Sequence, residues 1–237
     1  MRRVLIAAAG LLSLCVPADA AITLVAHKIA QDLTGAESYA MTAPGYESKA
    51  GNFIAVWVVS YSGADPVGTV TDSAGDVFKP ATFRSGTWNG QWFYAANVKG
   101  DPFNVVTIRP KTTGRATVKY AGIIVLEYSG VDKGAVPVID AAGPQGSLNG
   151  AWTSNAFDAS PGELVLVGIV TANGGSYTAE AGFQIQESYF TPSTRQFSFA
   201  VFDRVFPAAQ SKATAAVSWT GTFQTTAAVV SFKPAWP

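Results

Sequence analysis

The segment Gly51–Tyr61 reads G-N-F-I-A-V-W-V-V-S-Y. Nine of its eleven residues are apolar when Gly51 and Ala55 are counted, many are β-branched or aromatic, and none is proline. That composition reads as a strand. Its odd positions (Phe53, Trp57, Tyr61) and its even ones (Ile54, Val56, Val58) are both apolar. One face must therefore be core, and the other is either covered by a loop or left as an aromatic surface. Gly162–Thr171, G-E-L-V-L-V-G-I-V-T, has the same shape. No stretch of ten or more residues beyond residue 20 keeps a 3.6-residue apolar period, so almost no helix is expected. The fold class that follows is all-β: a two-sheet antiparallel sandwich, jelly-roll-like, in which strands give alternate side chains to the core.

Working outward, Ala21–Ala30 reads as a first strand and residues 31–50 as a loop with a turn at Pro44-Gly45. Asp72-Ser73-Ala74-Gly75 reads as a turn, because Asp accepts backbone N–H bonds and Gly supplies positive φ. It joins a short strand, Thr69–Thr71, to a hairpin partner, Val77–Phe83, which Pro80 confines to an edge or a bulge. Asn89-Gly90 between β-formers predicts a type I′ hairpin, followed by a strand over Gln91–Val98. Asn104–Arg109 and Arg115–Tyr128 are further strands. In the latter, Val118, Tyr120, Ile124, Leu126 and Tyr128 face inward. Residues 129–156 are rich in Gly and turn formers and read as a crossover with one short run at Val136–Asp140.

Beyond the crossover the order of the first half returns. Gly162-Glu163-Leu164 echoes Gly51-Asn52-Phe53, Gln196–Phe206 echoes Gln91–Val98, and Thr225–Phe232 echoes Gly122–Tyr128. This is a weak internal duplication of roughly 110 residues, with halves at about 21–140 and 141–237.

Residues 1–20 are expected to be a secretory signal peptide: Arg2 and Arg3, an apolar run over Val4–Val16, and a small-x-small site at Ala18-Asp19-Ala20. The apolar run falls short of the ~20 residues of a spanning helix. Leu14 stands where a lipobox wants a small residue before Cys15. The mature chain, 21–237, reads as one β-sandwich domain, secreted to the periplasm, the cell surface or the medium. Cys15 is the only cysteine, so the mature protein would carry no disulfide, thiol nucleophile or thiolate metal site. Cations and anions balance at 16 each, which leaves no electrostatic footprint for nucleic acid or an anionic membrane.

Three motifs carry a resemblance. Val70–Phe78 (V-T-D-S-A-G-D-V-F), Trp92–Val98 (W-F-Y-A-A-N-V) and Leu126–Asp132 (L-E-Y-S-G-V-D) resemble a family of secreted bacterial β-sandwich modules bearing D-S-A-G-[ND] and E-Y-S-G-[VL]-D in this order. The resemblance covers Gly51 to Asp132 well and the second half loosely. It implies an extracellular or cell-surface module with a jelly-roll-like fold, and brings no catalytic residues.

The residues narrow the chemistry. His27 is the only histidine and sits in an expected edge strand, which argues against a Ser-His-Asp centre and a histidine metal site. Glycosidases place two acids on one strand face. Glu127 and Asp132, or Glu180 and Glu187, are the nearest pairs, and neither spacing does so. Glu127 is expected to bond the following Ser129-Gly130 turn. No catalytic residues are assigned. Asp65, Asp72 and Asp76 surround turns and supply oxygen ligands that suit a structural calcium ion; no other cofactor is implied. The aromatics offer a ligand site. Trp57, Tyr61, Trp88 and Trp92, with Asn89 and Gln91, could stack on sugar rings and bond hydroxyls if exposed, or fill a core. The first expectation is a non-catalytic binding or adhesion module for a glycan or a cell-surface partner. A structural subunit that self-associates by exchanging strand 21–30, and a carbohydrate-active enzyme, are the alternatives.

Overall fold

The computed structural model describes residues 21–32, 40–61, 67–110, 120–172, 175–180, 182–190 and 197–236. Residues 1–20, the expected signal segment, and Asp65 lie outside them. No helix occurs among the described residues, and the all-β expectation holds. The first half runs β1 (Thr23–Asp32), β2 (Met41–Thr42), β3 (Tyr46–Ser48), β4 (Phe53–Tyr61), β5 (Val67–Asp72), β6 (Lys79–Arg84), β7 (Trp88–Ala96), β8 (Asp101–Asn104), β9 (Val106–Pro110) and β10 (Ala121–Ser129). The second runs β11 (Asp140–Ala141), β12 (Gly146–Thr153), β13 (Phe157–Ala159), β14 (Leu164–Ala172), β15 (Thr178–Ala179), β16 (Gln184–Tyr189), β17 (Phe197–Val205), β18 (Gln210–Ala213) and β19 (Ala216–Phe232).

Two antiparallel sheets form the body. One has the order β1-β10-β4-β7-β6 and the other β11-β19-β14-β17-β16, with β12 and β15 added along β19. The orders are the same once β10 is matched to β19, β4 to β14, β7 to β17 and β6 to β16. The small sheets repeat as well: β3 pairs β8 as β13 pairs β18, and β2-β9-β5 matches β12-β19-β15. The duplication read from the sequence is thus a repeated topology. Even the edge bulge recurs, between Pro80 and Thr82 in β6 and between Ile185 and Glu187 in β16.

Between the sheets lie Phe53, Trp57, Trp92, Ile124 and Leu126 from one half and Leu166, Phe197, Phe199, Val201 and Phe232 from the other. The outer faces are buried too. Ile54, Val56, Val58, Ile123 and Val125 pack under Tyr46, Val70, Val106 and Ile108 of the small strands. Val165, Val167, Ile169 and Phe202 pack under Trp152, Tyr177, Phe206 and Trp219. Strands buried on both faces read as continuous apolar runs instead of alternating ones. This answers the question that Gly51–Tyr61 posed: its second face is covered, and by strands, not by a loop.

Four expectations need correction. Asn89 and Gly90 form no hairpin; they lie inside β7, opposite Ser60 and Val59 of β4, and neither has positive φ. The turn from β6 lies upstream, at residues 85–87. Gly90 is glycine for packing, since a Cβ there would overlap the Trp57 indole. Residues 146–153, expected in a loop, form β12 against β19. The strands on either side of Asp72–Gly75 are not hairpin partners: β5 pairs β9, and β6 pairs β7. Finally, residues 41–48, within the expected loop, hold β2 and β3. The N-terminal strand pairs within its own chain, registered on β10 from Thr23↔Ser129 to Asp32↔Ala121.

Candidate functional site

The expected aromatic platform is interior. Trp57 and Trp92 are 0% exposed and Trp88 is 7% exposed, because all three sit at inward positions between two sheets. Trp57 and Trp92 are tilted rings 5.1 Å apart, and Trp92 Nε1 donates across the sandwich to the Ala228 carbonyl at 3.3 Å. Asn89 is buried and Gln91 half-buried. Tyr61 alone of the six is exposed, edge-on to Trp88 at 5.5 Å. These residues are brought together, but as core, and no sugar ring can reach the tryptophans.

The acids singled out for calcium or catalysis also have structural partners. Asp72 Oδ1 accepts the Asp76 N–H at 2.8 Å and its Oδ2 accepts Asn104 Nδ2 at 3.0 Å. Asp76 Oδ1 accepts the Lys99 N–H at 2.9 Å. Among the described residues no three His, Cys, Asp or Glu side chains gather as a metal site. Glu127 is fully buried. Its Oε1 accepts Lys49 N–H at 2.8 Å and Asn52 Nδ2 at 2.6 Å, so it ties β10 to the turn before β4 and not to Ser129-Gly130. His27, half-exposed on β1, places Nδ1 2.7 Å from Glu187 Oε2 on β16 and so pins one open edge of the sandwich.

Beside that pin lies the cleft that best qualifies as a site. It measures about 510 Å³ and is lined by Thr23, Leu24, Tyr128, Gln184, Gln186 and Asp203, among others. The start of β1 and the end of β10 form one wall; β16 and the end of β17 form the other. In β17 the residues facing the opposite sheet are Phe197, Phe199, Val201 and then Asp203, so an acid occupies a core-facing position at the strand end. It is 7% exposed. Tyr128 Oη donates to Asp203 Oδ2 at 2.7 Å from the facing sheet, and Gln186 Nε2 donates to Oδ1 at 2.6 Å. Burial pushes the Asp203 carboxyl above the usual carboxylate range, against the pull of those two donors,. Burial first, and Asp203 second, push the Tyr128 phenol well above its ordinary value, so it stays a donor. A buried acid with a raised pKa beside a cleft makes this the candidate site.

Sequence reasoning passed over Asp203, Gln184 and Gln186. The available signal was F-S-F-A-V-F-D-R-V (Phe197–Val205), where an acid falls on the phase of the buried residues.

No family model, curated protein or solved structure matches this chain.

Proposed function

We infer that the exported chain is a non-catalytic binding module for a hydroxyl-rich ligand, a glycan, taken up in the cleft between β1 and β16. The observation that carries this is the side-chain set: the Gln184 amide, the Thr23 hydroxyl and the Gln186–Asp203 pair converge on one concavity. Amides, a hydroxyl and an acid give paired donors and acceptors, the pattern that neutral sugar hydroxyls require. Ile22, Leu24 and Val205 supply the apolar wall against which a sugar ring face packs. The resemblance of Val70–Phe78 and Leu126–Asp132 to secreted bacterial modules agrees with a surface or extracellular setting. Glu127, one of the acids weighed for bond cleavage, is engaged inside the fold, which favours binding over turnover.

A polysaccharide pull-down and glycan array with the secreted protein test this. Retention on at least one neutral polysaccharide is expected. Gln184→Ala with Gln186→Ala should weaken it by at least roughly ten-fold, or ~1.4 kcal/mol, with an unchanged far-UV spectrum. Retention unaffected by the double substitution, or no retention on any polysaccharide, removes the reading.

A further inference from the structure

The repeat gives the sandwich a second cleft, equivalent to the first but with different chemistry. It measures about 270 Å³ and is lined by Asp76, Lys79, Asn97, Lys99, Lys133 and Gly134, among others. Lys79 on β6 occupies the place of Gln184 on β16, since Lys79 pairs Tyr94 and Gln184 pairs Asp203 at matching points. Three lysines therefore converge from three separate segments: the start of β6, the turn after β7, and the turn after β10. We propose that this second cleft is an oxyanion-binding site, taking a sulfate, phosphate or carboxylate group.

The charge balance carries the argument. The chain is neutral overall, so three ammonium groups around one concavity are not a by-product of a basic composition. Among the described residues, neither Lys79 nor Lys133 has an ion pair or a side-chain hydrogen bond. Lys99 Nζ reaches only backbone oxygens, such as the Ala74 carbonyl at 3.4 Å. Of the nearby acids, Asp76 Oδ1 accepts the Lys99 N–H and Asp132 Oδ1 accepts the Gly134 N–H at 2.8 Å, while Asp76 Oδ2 is buried without a partner among the described residues. Like charges held together in a concave mouth focus the field on a counter-ion, and lysine offers rotatable point charges suited to oxyanions of several shapes.

The site does not depend on the glycan reading of the first cleft, and its test uses different residues. Sodium sulfate is titrated into the full secreted chain at constant ionic strength, with chloride as the balancing and control anion, while backbone amide NMR shifts are followed. Saturable shifts at Asn97, Lys99 and Gly134 are expected with sulfate and not with chloride. Lys79→Gln with Lys133→Gln should weaken sulfate binding by roughly ten-fold and leave the melting temperature unchanged, because both side chains are exposed. Gln184→Ala with Gln186→Ala should leave it intact. An oligogalacturonate arm assigns the source. Binding at least ~10-fold tighter than sulfate identifies the anion as a substituent of a polymer; equal affinity identifies a free ion. Linear, non-saturating shifts, equal shifts with chloride, or sulfate binding indifferent to loss of both lysines would overturn the proposal.

Discussion

Where β10 of the first sheet faces β17 of the second, a phenol meets a carboxylate: Tyr128 and Asp203. At the equivalent place, where β7 faces β19, two aromatic rings meet instead. Tyr94 and Phe232 lie 5.2 Å apart, and their matched positions are Asp203 and Tyr128. The backbone repeats and the chemistry does not. The same divergence recurs in the turns. In the first half a carboxylate on β10, Glu127, accepts from Asn52 in the turn before β4 and from Lys49 N–H. In the second half the acid is in the turn: Glu163 accepts from Ser160 N–H and from Ser231 on β19. Asn52 corresponds to Glu163 and Glu127 to Ser231. The duplicated fold keeps a buried polar knot at the same place, while donor and acceptor change places.

The centre of the sandwich shows the same rule in volumes, and the largest effect is expected there. Trp57 and Gly168 are matched positions on β4 and β14, and they meet: a Cβ on Gly168 would overlap the Trp57 ring. Likewise Gly90 matches Phe199, and a Cβ on Gly122 would strike Phe199. Two large residues at the Trp57–Gly168 pair, or at the Gly122–Phe199 contact, would collide; one large and one small interdigitate. Trp57→Ala should cost about 3–5 kcal/mol in urea unfolding, and Gly168→Ala about 1–3 kcal/mol from overpacking. If the pairing is as described, the two losses are not additive, and the double variant recovers at least about 1 kcal/mol of the sum. Strict additivity would break the complementarity.

A smaller effect separates the two turn knots. Glu127→Ala leaves the Lys49 N–H and the Asn52 amide without an acceptor inside the fold, a loss of about 3 kcal/mol. Asn52→Glu with Glu127→Ser installs the second-half arrangement in the first half, and should regain at least half of that loss by thermal or urea unfolding. A double variant as unstable as Glu127→Ala would show that the knots are alike in position only.

Much of this was legible in the sequence. The central strands announce themselves as apolar runs because both of their faces are buried. Its missing N–H confined Pro80 to an edge or a bulge, and β6 is an edge strand with a bulge between Pro80 and Thr82. The repeat could be seen because its paired strands begin with the same glycine turns, Gly51 and Gly162, both with positive φ. The covering strands were harder. β2, β3, β8 and β13 are two to four residues long, too short for a period to register. Asn89-Gly90 misled because a glycine demanded by a neighbouring indole looks the same as one demanded by a turn. The tryptophans allowed two readings, platform or core, for a related reason: which face of a strand is covered depends on segments far away in the chain. The polar cleft depends on long-range register, which brings Tyr128 to Asp203 across 75 positions.

The smallest expected effect sharpens the contrast between the two sheet mouths through pH. Burial holds the Asp203 carboxyl above its ordinary range, so the unfolded chain ionises more readily than the folded one. The group is neutral in both states below the ordinary Asp range, and no penalty exists there. As pH rises through that range, the unfolded state loses its proton first and stability falls, until the folded group has ionised as well. Asp203→Asn cannot ionise, yet its amide can donate to Tyr128 Oη while its oxygen accepts from Gln186. The variant should therefore melt a few degrees above the parent at pH 7, with the gap closing as pH falls toward 3. It should also bind polysaccharide less well, since the acceptor shared with the cleft is lost. At the other mouth, Tyr94→Phe should show no pH-dependent gap below pH 8, because a phenol stays protonated there. A gap for Asp203→Asn that is constant from pH 3 to 7 would mean that its carboxyl carries no burial penalty, and that the two mouths differ in shape alone.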